Sequence, residues 1–282
     1  MRIVFRAGNT CAVYLLFLAK TAFAATIACP AIGSGIPIAE LPVGSGCAEV
    51  DKSFSNFLDT LVAGSLGKGA EFAFSASGRD PLGDTMFPVT AELNVLGTQQ
   101  LTPSYQEAVN YDAVSNTGGS YDGGSYPTPA TPGATWAISG LNFLPNISVN
   151  GNGQSATAFE EFCLNAASTN DCPLTDRGEI SVAFFSGGST ITCLGIYCAS
   201  ANGTEADFPT PVTEIAIGFD VVVNGVTTTG VTLNNFDTDF SGVAVPEAAS
   251  ALEPSTFLLV LIGLACLVVP RRGRWTNRVN RY

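Results

Sequence analysis

The chain has 282 residues, with 24 acidic and 12 basic side chains and no histidine, which removes the commonest general base and every Ser–His or Cys–His arrangement. Eight of the basic residues lie at the two ends, as Arg2, Arg6 and Lys20 and as Arg271, Arg272, Arg274, Arg278 and Arg281. Between Ala25 and Thr256 only Lys52, Lys68, Arg79 and Arg177 face the 24 acids, and the resulting net charge of −20 disfavours nucleic acid and anionic lipid while attracting divalent cations.

The N-terminus pairs Arg2 and Arg6 with an apolar stretch from Cys11 to Ala19, followed by Ala22, Phe23 and Ala24 in a small-x-small cleavage pattern. That is a secretory signal peptide over residues 1–24, with the mature chain starting at Ala25. Its apolar core is too short to span a bilayer. With Cys11 in this leader and Cys266 in the apolar tail, six cysteines remain in the body. An even number in an exported chain predicts three disulfides. Many pairings are open, and the nearest-neighbour set is expected: Cys29 with Cys47, Cys163 with Cys172, and Cys193 with Cys198. Zinc is disfavoured, because no second short-spaced cysteine pair and no histidine accompany Cys193 and Cys198.

Residues 29–47 read as a loop rich in Gly, Pro and Ser. The apolar spacing of Val50, Phe54, Phe57, Leu58 and Leu61 then favours a short amphipathic helix, with an irregular strand entry as the alternative. Alternation through Phe72 and Phe74, and again through Val89, Ala91, Leu93 and Val95, predicts strands over 70–77 and 87–96. Residues 112–133, with a repeated Gly-Gly-Ser-Tyr and then Pro127, Pro129 and Pro132, read as a long surface loop or linker. Strands are predicted over 136–143 and 147–149, interrupted at Pro145, then over 180–185 and 190–194; 158–164 is ambiguous between strand and helix. The clearest alternation runs through Ile215, Ile217, Phe219, Val221 and Val223, and Asn224-Gly225 supplies a hairpin turn into 226–233. Many short strands with Gly-rich and Pro-rich turns predict an all-β fold, an antiparallel, jelly-roll-like β-sandwich over 25–244.

Chemistry is harder to find. No nucleophile elbow, phosphate-cradling loop or zinc-protease motif occurs. Carboxylates for a hydrolase are nominated as Glu160 with Glu161, Asp176 with Glu179, or Asp220, although such a pair is assembled in space rather than in sequence. Asp237, Asp239 and Ser241, followed by Gly242, place oxygen ligands at alternate positions, as in the first half of a calcium loop. Trp136, Tyr121 and Tyr126 are candidate platforms for stacking sugar rings.

The tail is the most informative stretch. Leu252, Glu253, Pro254, Ser255 and Thr256 precede 13 apolar residues, Phe257 to Val269, and then Pro270, Arg271, Arg272 and Arg274. Thirteen residues cover about 20 Å as a helix, short of a hydrocarbon core of ~30 Å. The arginines favour a cytoplasmic C-terminus. This tripartite segment resembles the PEP-CTERM sorting signal processed by exosortases in Gram-negative bacteria. Glu253 and Pro254 match the last two residues of the Pro-Glu-Pro signature, Leu252 stands where its first proline belongs, and the arginines match its basic end. The segment Cys47 to Phe57 is similar to the start of uncharacterised exported members of that group.

The resemblance implies delivery by the general secretion machinery, holding in the membrane by the C-terminal hydrophobic helix, and processing by an exosortase. It implies no active site. The expectation is thus a non-enzymatic structural or adhesive protein of the cell envelope or extracellular matrix. Extracellular polysaccharide is its candidate partner and calcium its candidate cofactor. A carbohydrate-binding module and a secreted Asp/Glu hydrolase are the alternatives.

Overall fold

A computed structural model describes residues 26–41, 46–64, 71–78, 83, 88–96, 104–150, 154–166, 169, 172–224 and 230–247. The leader with Ala22, Ala24 and Ala25 lies outside them, as does the tail with Leu252, Glu253, Pro254, Arg271, Arg272 and Arg274. Among the described residues there are sixteen strands and no α-helix. In chain order they are β1 (Ile27–Ala28), β2 (Ile36–Pro37), β3 (Cys47–Glu49), β4 (Lys52–Ala63), β5 (Glu71–Ser77), β6 (Val89–Leu96), β7 (Tyr105–Ser115) and β8 (Ser120–Tyr121). They continue as β9 (Gly124–Ser125), β10 (Ala134–Val149), β11 (Ser155–Leu164), β12 (Arg177–Phe185), β13 (Gly188–Leu194), β14 (Glu205–Val212), β15 (Glu214–Asn224) and β16 (Val231–Pro246).

An eight-stranded sheet in the order β1-β3-β4-β7-β15-β11-β12-β13 packs on a six-stranded sheet in the order β14-β10-β16-β6-β5-β2. β1 pairs with β3 in parallel; pairing is antiparallel from β3 to β13 across the eight-stranded sheet, and between β14 and β10 and along β16-β6-β5-β2 in the six-stranded sheet. The alternation that marks β15 in the sequence is the alternation observed: Ile215, Ile217, Phe219, Val221 and Val223 are buried between the sheets, while Gly218 and Asp220 point outward. Aromatic rings join the layers, with Phe219 against Phe236 at 4.2 Å and Phe54 against Phe74 at 5.1 Å between centroids. This is the antiparallel β-sandwich that turn spacing predicts, and the described residues through Val245 form one compact unit. The three disulfides pair nearest neighbours, Cys29–Cys47, Cys163–Cys172 and Cys193–Cys198.

Five predicted elements need correction. β15 and β16 are not the partners of a hairpin, since β15 belongs to the eight-stranded sheet and β16 to the six-stranded one. The segment from Val50 to Leu61 is a turn and the strand β4, not a helix. Asn56 takes φ 56°, and the register with β7 shifts between Ser55 and Leu58. That bulge inserts one residue, so Phe54 and Phe57 reach the same face three positions apart and mimic helical spacing. Phe57 lies 4.7 Å from Phe74 and 5.8 Å from Tyr111, ring to ring.

Residues 112–133 are only partly a loop, since β7 runs through Ser115 and β8 pairs with β9. Pro145 does not interrupt β10, because it lies past Asn142, the last residue registered with β14, where a missing N–H costs little. Residues 237–242 lie within β16 rather than in a calcium loop. The sequence reading also lacks β14, whose Pro209 and Pro211 are tolerated because it is an edge strand.

Candidate functional site

At the centre of the eight-stranded sheet two outward-facing residues are small, Ala108 of β7 and Gly218 of β15, registered with Asp220 and Asn110 respectively. Their lack of bulk leaves a cavity of about 440 Å³. Asn110, Phe159, Glu161, Glu179 and Asp220 line it from four adjacent strands, and Thr169 lines it from the connection between β11 and β12. The Cys163–Cys172 disulfide ties that connection back to the end of β11. Thr169 Oγ1 donates to Asn110 Oδ1 at 3.5 Å. A Cβ on Gly218 would lie 3.0 Å from that Asn110 oxygen and 3.3 Å from Thr169 Oγ1, so this close approach is open to glycine alone without displacement.

The electrostatics of the cavity are unbalanced. Glu161 and Glu179 are direct cross-strand partners, an arrangement that is unfavourable for like charges. Arg177, one of the two basic residues described, donates to Glu161. Burial raises the Glu179 carboxyl above its ordinary value, the Glu161 charge adds to this, and Arg177 opposes it. Asp220 is registered with Phe159 and so lies diagonal to Glu161. It is likewise raised by burial, although Gln106 Nε2 donates to its Oδ2 at 3.1 Å. The site thus offers three carboxyl groups, one guanidinium, an amide, a hydroxyl and the half-buried Phe159 ring.

Of the residues nominated from sequence, Glu161, Glu179 and Asp220 meet here, drawn one from each nominated set. Their proposed partners do not. Glu160 faces the opposite way, buried between the sheets, where Thr238 Oγ1 donates to its carboxylate. Burial pushes Glu160 up to about 8, with the Thr238 hydrogen bond acting against the shift. Asp176 sits in the turn before β12, where its backbone carbonyl accepts from Leu164 N and its own N–H bonds Pro173 O. Asn110, Phe159 and Thr169 escaped sequence reasoning. Phe159 and Glu161 do alternate against buried Ala158, Glu160 and Phe162, which marks one outward face.

Trp136 is no stacking platform, because its side chain is fully buried. A tryptophan on a strand that packs both sheets together serves the core. Tyr121 ends β8 and Tyr126 follows β9, and their rings lie 5.0 Å apart between centroids. Asp237, Asp239 and Ser241 share the outer face of the six-stranded sheet, two residues apart on a strand instead of around a loop. Asn235 Nδ2 donates to Asp237 Oδ1 at 2.9 Å, and Thr90 Oγ1 donates to Asp239 Oδ1 at 2.5 Å. Burial lifts Asp237 to about 6, reinforced by its cross-strand neighbour Glu92. Asp239 and Ser241, without Asp237, line a second cavity of about 290 Å³ with Asn142, Glu205 and Asp207. Among the described residues no three His, Cys, Asp or Glu side chains converge on a metal position.

No family model matches the chain, and no curated protein matches it.

Proposed function

We propose that this protein is an exported, non-enzymatic binding component of the cell envelope or extracellular matrix, which holds an extracellular polysaccharide in the outer-face cavity. The observation that carries the reading is that cavity: open space over the outer face of the sheet, a phenyl ring among its lining, and hydrogen-bonding groups convergent from four strands. Sugars are recognised by an apolar ring face together with multiple polar partners. Three disulfides fit an oxidising, extracytoplasmic compartment. The PEP-CTERM-like tail supports delivery through the secretion machinery to an exosortase, with membrane holding by its apolar segment.

Retention of the mature protein on immobilised polysaccharides tests the binding claim. Retention on at least one is expected, and elution in the void volume from a broad panel contradicts it. Mass spectrometry of envelope and culture fractions from the native host tests delivery. The account expects an N-terminus at Ala25 and a C-terminus short of Tyr282.

A second reading is favoured by one observation, the meeting of Glu161, Glu179 and Asp220. Glycoside hydrolysis needs two carboxyl groups across a scissile bond, one protonated and one ionised. Release of reducing ends from a retained polysaccharide, lost in both Glu179→Gln and Asp220→Asn, would favour this hydrolase over the binding module.

A further inference from the structure

Resting on the binding-module reading, we propose that the outer-face cavity selects glycans that carry free amino groups, such as polymers of glucosamine, over neutral and uronic-acid glycans. The first ground is the imbalance inside the cavity. Glu161, Glu179 and Asp220 line it with Arg177 as the neighbouring cation. Covering these groups with a neutral sugar would strip water from the carboxylates and return only hydroxyl hydrogen bonds. An ammonium supplies both a charge and up to three donors to acceptor-only carboxylates. A uronate would add a fourth negative charge.

The second ground is the shape of the site. Phe159 lies on the strand between those of Asp220 and Glu179, so a pyranose laid on the ring has carboxyl groups on both flanking strands within reach of its substituents. Thr169 and Asn110 bond each other on the remaining side and offer no positive charge. The third ground is the whole body, whose charge of −20 draws a polycation toward the surface and holds a polyanion off.

The test is isothermal titration of the mature, disulfide-intact protein at mildly acidic pH with three probes of matched length: oligomers of glucosamine, of N-acetylglucosamine and of a uronic acid. Glucosamine oligomers are expected to bind about tenfold or more tighter than the acetylated ones, the size of one charge-assisted hydrogen bond, with the uronate weakest. Glu179→Gln should shrink the ratio between amine and acetylated probes while leaving the melting temperature close to that of the parent. Phe159→Ala should weaken both probes together and leave the ratio intact. An unchanged ratio in Glu179→Gln overturns the amine preference, as does equal binding of all three probes by the parent protein. If the parent binds the neutral oligomer best and Phe159→Ala abolishes this, the binding module stands and only the selectivity falls. If none of the probes binds and no other polysaccharide is retained, both fall.

Discussion

Lys52 shows how a single residue sets constraints in so acidic a chain. Its ammonium pairs with Asp51, both side chains are fully buried, and Ser115 Oγ donates to the same Asp51 oxygen at 2.9 Å. Burial lowers the Lys52 ammonium below its ordinary value, and Asp51 opposes that shift. Removing the lysine would leave a buried carboxylate without its counter-charge. Lys52→Met should therefore destabilise the fold by about 3–5 kcal/mol in chemical denaturation. The double change Asp51→Asn with Lys52→Met should recover most of that loss, because an unpaired charge costs far more than an absent pair. Equal loss in the single and double variants would assign the effect to packing.

Elements explain where the cavity comes from. β15 alternates buried apolar residues with outward-facing ones, and that pattern is legible in the sequence because its two faces meet different surroundings; β11 is less legible, since Glu160 faces the core and Phe159 faces outward. The cavity itself is not legible, since Asn110, Phe159 and Asp220 are brought together by strand order β7-β15-β11, which no local pattern encodes. Bulges are hidden for a related reason: Asn56 shifts the phase of β4 by one residue, and the disturbed period then imitates a helix. The nearest-neighbour disulfides, by contrast, follow from short loops that close with little entropy cost.

The Cys163–Cys172 bridge makes a prediction at this scale. Cys163→Ala with Cys172→Ala should cost about 2–4 kcal/mol of stability. It should also weaken glycan binding more than the corresponding change at Cys193 and Cys198, because only the first bridge anchors the connection that carries Thr169. Equal effects of the two pairs on binding would detach that connection from the site.

Across the whole molecule, burial of acids dictates a direction for pH. Glu160 and Glu107 are both pushed up to about 8, chiefly by burial; a hydrogen bond with Asp59 adds to the shift at Glu107, and Tyr105 donates to it in opposition. Asp112 and Asp237 are lifted to about 6, again mainly by burial. An acid raised in the folded state binds more protons there than in the unfolded chain, so stability falls as pH rises from the ordinary carboxylate range toward the folded value. The melting temperature should decline between pH ~5 and ~8, the window over which these groups ionise. Glu160→Gln should flatten the upper part of that decline; an unchanged slope in the variant would contradict the assignment to Glu160. Calcium belongs to the same charge balance. If Asp239 and its neighbours in the second cavity hold the ion, EDTA should lower the melting temperature of protein purified with calcium, and an unchanged midpoint removes the ion from the account.

The claim that the outer face of the eight-stranded sheet is the working surface is tested most directly by filling its cavity without altering a polar group. Ala108 lines the floor and contributes only a methyl group. Glycan-array binding of the mature protein should be lost in Ala108→Phe, with the melting temperature within a few degrees of the parent. Undiminished binding by the folded Ala108→Phe protein would place the ligand elsewhere and contradict the account.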